Sequence, residues 1–254
     1  MDHQLSFFLA IIAAYGTACF IWLGIYKLNP VWWPMEVIEK PVTRYKDLWI
    51  AVGACIAIMA IGQLYTAGLL IPDGNNRYWS ALVWGLNNLL IFSPIFITLY
   101  FRKQSLNTVF ISTRKMGLKL GFGSLVSLAG LLVFYLLQGG KGGLSDVFQQ
   151  MFLLDNLKNF PAVFLEGVAI AFLFVRLSWS LGKKWAIAIP ALLFALAHLP
   201  RSLADGTALP EILMYSLVTA SVTVLVLHTC HKSRDIIWLG VIHYMMDIAI
   251  GAFQ

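Results

Sequence analysis

Long apolar runs separated by short polar segments dominate the pattern of this chain. A helix that crosses a bilayer needs roughly 20 mostly apolar residues, because its backbone polar groups must be satisfied inside the lipid. Eight runs approach that length, and the sixth is the shortest of them. The runs are Leu5–Leu28, Leu48–Leu70, Trp79–Phe101, Leu118–Leu137, Phe160–Leu181, Trp185–Leu199, Leu209–His228 and Ile236–Phe253. The pattern predicts an all-α polytopic membrane protein with about eight transmembrane helices.

The polar connections mark the ends of these runs. Asn29 and Pro30 end the first run, and the glycine-rich stretch 139–143 ends the fourth. The segment Leu144–Leu157 is amphipathic and predicts a helix that lies at the membrane interface. The sequence shows neither a repeat nor a second domain, so we expect residues 1–254 to form a single transmembrane domain.

Two smaller patterns predict local roles in the membrane. Trp32 and Trp33, followed by Pro34, predict an anchor at headgroup level, where tryptophan is favoured. Gly117 and Gly121 lie four residues apart and predict a face for close helix packing.

The composition agrees with a membrane protein. Hydrophobic residues make up 59% of the chain and charged residues 12%, against about 25% charged in a soluble domain. Three cysteines do not make a disulfide framework. A disordered chain, a coiled coil and an ordinary nucleic-acid binder are therefore excluded, and we expect no nucleic-acid partner.

The net charge of +6 follows from the distribution of Lys and Arg between the two sides of the predicted bundle. One side carries only Arg77, Lys141, Lys158 and Arg201, and the other side carries the remaining fourteen. The positive-inside rule then places both termini outside and the fourteen cations in the cytoplasm. We expect an integral protein of the bacterial cytoplasmic membrane.

Four ionisable side chains inside the predicted spans stand out, since a charged group there costs roughly 2.5–3.5 kcal/mol. They are Glu166, His198, His243 and Asp247. Glu166 lies about 9 Å below the outer end of its helix at 1.5 Å per residue, and His243 and Asp247 share one helix face because they are four residues apart. The predicted orientations place all four in the outer half of the membrane. We therefore predict a polar cavity among the C-terminal helices, in which these groups meet around one water molecule.

Each of these residues also has a structural interpretation. Glu166 could be a protonated carboxyl group bonded to a neighbouring helix, His198 an interfacial residue, and His243 with Asp247 a structural pair. For Asn87 and Asn88 the favoured interpretation is a helix–helix contact rather than a site. Glu166, His198 and His243 together would also resemble the ligand set of a catalytic zinc, although our expectation is a site with no metal and no cofactor.

The order and contents of the last four runs resemble the CPBP family of intramembrane peptidases, also called the Abi family. The family pattern is Glu-Glu-x-x-x-Arg, then Phe-x-x-x-His, then His-x-x-x-Asn. Phe194 to His198 match the second element, and the last element runs from His243 to Asp247, with Asp in place of Asn. The resemblance covers residues 160–254. It departs from the pattern in the first element, where Glu166 is followed by Gly167 and Ala171 occupies the Arg position.

The resemblance implies a mechanism and a substrate class. Glu166 and His198 would activate a water molecule, and His243 and Asp247 would stabilise the oxyanion. Since an ionised carboxylate repels an oxyanion, Asp247 should be protonated or should orient His243. Arg176, ten residues after Glu166, is interpreted as a topology charge rather than as the family arginine.

The expected function is an intramembrane peptidase that cleaves a membrane-proximal segment of a peptide or protein. A prenylated CAAX substrate is not favoured, because such a tail lies in the cytosol. Two alternatives remain: a catalytically inactive CPBP-like scaffold that holds a membrane protein partner, and a transporter that uses the same polar groups.

Overall fold

The computed structural model describes residues 2–33, 38, 43–72, 76–139, 144–204 and 206–253. Within these residues the chain folds into eleven α-helices and one short 3-10 helix at Leu106–Val109. The α-helices are α1 Asp2–Leu28, α2 Arg44–Thr66, α3 Arg77–Phe101, α4 Met116–Leu137, α5 Leu144–Met151, α6 Leu154–Leu157, α7 Phe160–Ser180, α8 Lys183–Ala197, α9 Leu199–Ala204, α10 Leu209–Ser233 and α11 Ile237–Phe253.

The prediction of an all-helical membrane protein is confirmed, and the described residues contain no strand. Each of the eight apolar runs coincides with a helix. By length and composition, six helical stretches in the described part are long and apolar enough to cross a membrane: Leu5–Leu28, Arg44–Thr66, Arg77–Phe101, Met116–Leu137, Leu154–Ser180 and Leu209–Ser233. The last apolar helix is shorter, at Ile237–Gly251, and the sixth predicted run forms the 15-residue α8.

Local sequence signals set several helix ends. The side chain of Asn76 caps α3 by accepting a hydrogen bond from the Trp79 N–H at 2.8 Å. Pro161 and Pro210 occupy the first turns of α7 and α10, where a missing N–H costs nothing. Gly182 separates α7 from α8 with a φ of +84°, which a residue with a side chain rarely adopts. This turn lets α8 fold back against α7.

The helices that carry the site pack around α7, which contacts α2, α3, α8 and α11. A second group forms where α4 lies against both α1 and α11. A Cβ atom at Gly123 would approach the Trp238 backbone to 2.9 Å, and one at Gly130 would approach the Ala14 carbonyl oxygen to 2.9 Å. Glycine therefore allows α4 to contact both neighbours.

The predicted packing face on α4 does not contact another helix of this chain. A Cβ atom at Gly117 or Gly121 would meet no atom within 4 Å, and both residues are exposed. The close approaches use Gly123 and Gly130, which lie on another side of the helix. Spacing identified a glycine-rich helix, but the tertiary contacts decided which glycines face a neighbour.

The amphipathic segment 144–157 forms two helices, α5 and α6, rather than the single helix expected. The break falls at residues 152 and 153. Met151, the last residue of α5, is buried, and its carbonyl oxygen accepts a hydrogen bond from Tyr244 Oη at 2.6 Å. This contact fastens the end of α5 to α11.

Trp33 is not an interfacial anchor. It is 2% exposed and packs in an aromatic cluster with Trp22, Phe122 and Trp238. Its indole N–H donates to the Ser233 carbonyl oxygen at 3.1 Å. The connection after α1 is thus held against the end of α10 and the start of α11. Pro34 lies outside the described residues.

Two cations that the charge count assigns to the cytoplasmic side are buried. Arg176 Nη1 donates to the Thr108 carbonyl oxygen at 2.6 Å, and Arg176 Nη2 donates to Gln104 Oε1 at 2.5 Å. Lys119 forms a buried ion pair with Asp235. The interpretation of Arg176 as a topology charge stays a prediction, and the structure adds a second role, because its guanidinium binds the connection between α3 and α4. The orientation of the termini stays a prediction, and Lys40, Lys141 and the stretch 140–143 lie outside the described residues.

Candidate functional site

A cavity of about 480 Å³ opens between α1, α7, α8, α10 and α11. Its walls include all four of the ionisable residues that the sequence singled out, namely Glu166, His198, His243 and Asp247. They come from α7, from the C-terminal end of α8 and from α11. Most of the remaining wall is apolar, so the cavity places a few polar groups within a hydrophobic surround, as binding sites commonly do.

Glu166 extends from the second turn of α7 into this cavity and is partly exposed there. Its carboxylate interacts electrostatically with His243, Asp247 and His198. No hydrogen bond holds the Glu166 side chain within the described part of the chain. Its oxygens are therefore available to a molecule that enters the cavity.

His198 follows the last residue of α8 and is held by its own helix. Its Nδ1 lies 2.8 Å from the Phe194 carbonyl oxygen. Because a carbonyl can only accept, Nδ1 carries the proton, and Nε2 of the neutral ring carries the free lone pair. Phe194 also packs edge-on against the His198 ring, with 4.8 Å between the ring centroids. The Phe-x-x-x-His spacing thus fixes both the position and the tautomer of His198.

His243 and Asp247 lie one turn apart on α11. His243 Nε2 lies 3.6 Å from Asp247 Oδ1. The Asp247 side chain is 46% exposed, against 24% for His243. Asp247 is thus the more open member of the pair, and its carboxylate lies where it can orient the His243 ring.

Two tyrosines that the sequence did not single out also line the cavity. Tyr15 lies on α1 and is 7% exposed, and its phenol interacts electrostatically with Asp247, Tyr215 and Glu166. The Tyr215 ring lies 6.0 Å from that of His198. Neither residue belongs to a motif, and a tyrosine in an apolar run is ordinary. Only the packing of α1 and α10 against the other helices reveals them.

The cavity continues from this polar group along α10 towards its C-terminus. From Tyr215 to Cys230 its wall follows about 22 Å of helix at 1.5 Å per residue. Beyond Thr223 the lining side chains are apolar except for Cys230: Val226 and Leu227 from α10, then Ile236 just before α11 and Leu239 in its first turn. One cavity therefore has a polar part at the ionisable residues and an apolar arm that leads away from them.

A second cavity, of about 790 Å³, lies between α3, α5, α6, α7 and α11. Glu166 and Asp247 line this cavity as well as the first. Three amide side chains contribute to it, those of Gln150, Asn156 and Asn159. The two carboxyl groups thus lie at the boundary between an apolar cavity and an amide-lined one.

The asparagines of α3 have structural roles. Asn87 makes two hydrogen bonds to the Ile71 backbone, accepting from its N–H at 3.1 Å and donating to its carbonyl oxygen at 2.9 Å. Asn88 donates to the Trp84 carbonyl oxygen one turn earlier at 2.8 Å. Asn87 therefore fixes the connection between α2 and α3, and both side chains are occupied away from the four ionisable groups.

The zinc alternative requires three ligands around one point. Among the described residues, no three His, Cys, Asp or Glu side chains are grouped closely enough to hold a metal ion. Glu166, His198 and His243 face the same cavity without forming such a set.

The two departures from the family pattern also face the cavity. Gly167 and Ala171 both line it. A Cβ atom at Gly167 would meet no atom within 4 Å, whereas Ala171 is buried. The second family glutamate is therefore absent from a place with room for a side chain.

Fold and site together define a polytopic helical membrane protein with an ionisable site enclosed by its spans. A comparison with protein-family models matches residues 160–249 to the family described as type II CAAX prenyl endopeptidase Rce1-like. The match begins with α7, ends in α11 and includes all four ionisable residues. It confirms the resemblance to the CPBP family, a family of CAAX-type intramembrane proteases, over this part of the chain. No curated protein and no solved structure matches the chain.

Proposed function

We propose that this protein is an intramembrane endopeptidase that hydrolyses a membrane-proximal segment of a peptide or protein. The observation that carries the proposal is the meeting of Glu166, His198, His243 and Asp247 in one cavity among apolar helices. Ionisable groups are costly in such surroundings. Their presence in a single cavity supports the proposal that they act in one reaction.

The proposed first step is the attack of a water molecule that lies between Glu166 and His198. Nε2 of His198 carries the free lone pair of the neutral ring, so it can accept a hydrogen bond from this water. Glu166 takes the proton as the water oxygen attacks the scissile carbonyl carbon. Glu166 later returns that proton to the leaving amine when the C–N bond breaks, so the enzyme ends unchanged.

The developing oxyanion would face α11. In a protonated imidazole both ring nitrogens donate, and Asp247 lies 3.6 Å from Nε2 of His243, where it supplies the counter-charge. The other nitrogen of His243 remains to donate to the oxyanion. This arrangement gives Asp247 the role of a positioning residue rather than of a donor.

The shape of the two cavities supports a substrate with an apolar and a polar part. The apolar arm along α10 suits an apolar segment or a lipid chain. The Asn156 amide N–H group already donates to Gln150. The remaining amide groups of Gln150, Asn156 and Asn159 offer donors and acceptors to an extended peptide backbone. A scissile bond at Glu166 would lie between the two. Because the matched family is described as a prenyl endopeptidase and the arm is apolar, a prenylated peptide is a second candidate substrate.

Cleavage by the purified protein in lipid nanodiscs tests the proposal. The probes are a fluorogenic peptide with an apolar membrane anchor and a farnesylated fluorogenic peptide. Glu166→Gln and His198→Ala should each lower kcat/KM by about a hundredfold or more. Matched controls are Glu211→Gln and His228→Ala on α10, neither of which lines the two cavities described above.

The outcomes separate the three functions. Cleavage that survives both site variants would overturn the catalytic proposal. If the wild-type protein cleaves neither probe but captures the anchored peptide, the inactive scaffold is supported. Solute or proton flux in vesicles that depends on Glu166 would support the transporter instead.

A further inference from the structure

We infer that the Tyr15 hydroxyl is a further functional group of this site, a neutral hydrogen-bond donor to the oxyanion. The inference rests on the proposed peptidase function and adds a residue that lies outside the matched family range. Tyr15 belongs to α1, whereas the family match begins at residue 160.

The position of Tyr15 supports this role. The side chain is almost fully buried by α1 and its neighbours, yet it forms part of the wall shared by Glu166, His243 and Asp247. Its phenol interacts electrostatically with Asp247 and Glu166. The described residues provide no hydrogen-bond partner for its hydroxyl group. A donor that is enclosed, unpartnered and adjacent to the ionisable groups is available to a guest in the cavity.

The substitution at position 247 explains why such a donor is needed. An asparagine here would offer an N–H group, whereas an ionised carboxylate only accepts hydrogen bonds. Asp247 would repel an oxyanion that it faced directly. A phenol titrates near pH 10 in water and is therefore neutral and protonated at pH 7. Tyr15 can donate without adding charge.

The step leaves Tyr15 chemically unchanged. As the water oxygen bonds to the scissile carbon, the carbonyl π electrons move to the carbonyl oxygen. Tyr15 donates a hydrogen bond to that oxygen but keeps its proton. When the C–N bond breaks, the electron pair returns to form the carbonyl group, and the amine leaves with the proton that Glu166 held.

Tyr15→Phe tests the inference because it removes only the hydroxyl group. Loss of one oxyanion donor typically lowers kcat by about 10²–10³-fold, and KM should change little because the donor acts in the transition state. The matched control is Tyr26→Phe on the same helix, since the Tyr26 ring stacks on Trp22 at 4.9 Å and does not line either cavity.

The combination with Asp247→Asn makes the test specific. An asparagine at position 247 supplies an N–H donor, so Tyr15→Phe should cost much less in the Asp247→Asn background, about tenfold or below. A purely structural role of Tyr15 would give the same loss in both backgrounds. Unfolding temperature, measured for every variant, separates a loss of folded protein from a loss of turnover.

A second measurement does not depend on turnover. A peptide aldehyde, which is hydrated to a tetrahedral species, should lose affinity on Tyr15→Phe, whereas the corresponding alcohol should not. Equal losses for both ligands would overturn the inference. The inference would also be overturned if Tyr15→Phe kept activity within twofold of wild type while Glu166→Gln was inactive. That result would still support the proposed peptidase function. If Glu166→Gln is also active, the proposed function itself fails.

Discussion

Lys119 and Asp235 form an ion pair in which both side chains are almost completely buried. Lys119 Nζ also donates to the Ser112 carbonyl oxygen at 2.8 Å, and Asp235 Oδ1 accepts from the Ile237 N–H at 2.8 Å. The pair therefore joins the first turn of α4 to the start of α11. Since α11 carries His243 and Asp247, the pair also anchors one wall of the site.

Removal of the cation should destabilise the fold. Lys119→Met leaves a buried carboxylate without a counter-ion, which we expect to cost about 3–5 kcal/mol at pH 8. Unfolding by a denaturant in detergent micelles measures the change. The double variant Lys119→Met/Asp235→Asn should recover part of the loss, because it removes the uncompensated charge. A double variant as unstable as the sum of the single variants would contradict this explanation.

The pH dependence of stability should report on Asp235. Burial raises the pKa of Asp235 from 3.8 to about 6, although the hydrogen bond and charge of Lys119 oppose the shift. The folded protein then binds the proton more tightly than the unfolded chain does. The contribution of the Asp235 carboxyl group to the unfolding free energy is therefore fully present below about pH 4, and it is lost as the pH rises through about 6.

Comparison with Asp235→Asn isolates this contribution from that of other titrating groups. Between about pH 4 and pH 6, the unfolding free energy of the wild type should fall relative to that of Asp235→Asn. Above pH 6 the difference should stay constant. In the Lys119→Met background, the corresponding effect of Asp235→Asn on the unfolding free energy should keep changing to higher pH. The reason is that the Lys119 ammonium group, which opposes the rise in the Asp235 pKa, is absent. A difference that does not vary with pH would contradict the prediction.

The substitution Arg176→Lys should destabilise the protein. The guanidinium is buried, donates to the Thr108 carbonyl oxygen and to Gln104, and lies 4.0 Å from the centroid of the Phe172 ring. A lysine cannot reproduce this planar set of donors. We expect Arg176→Lys to cost about 2–3 kcal/mol, measured as unfolding free energy. Arg114→Lys, at an exposed position, should be neutral.

Two glycines on α4 should respond oppositely to alanine. Gly123→Ala would place a Cβ atom 2.9 Å from the Trp238 backbone, so α4 and α11 would have to separate, at a cost of about 1–3 kcal/mol. Gly121→Ala enters open space and should stabilise the helix by up to about 1 kcal/mol. The same sign for both variants, in unfolding temperature or free energy, would refute the assignment of the packing face.

Much of the helical architecture could be predicted from the sequence. A bilayer-spanning helix must be long and apolar, so the eight apolar runs located eight helices without any knowledge of contacts. The four ionisable residues were equally visible, because a charged group in an apolar run is costly wherever the helix packs. The motif spacing placed them on the right helices. Their catalytic roles stay predictions.

The tertiary structure alone decided which side chains face a neighbouring helix and which are buried. A tyrosine in an apolar run carries no signal, so Tyr15 becomes a candidate only where α1 packs beside Glu166 and Asp247. The glycine spacing could not tell Gly121 from Gly123, since only the approach of Trp238 distinguishes them. Cations near helix ends look alike in a sequence, yet Lys119 is buried, and Asp235, far along the chain, supplies its counter-charge. The sequence determines which residues lie on each helix, and the packing of the helices determines which side chains come into contact.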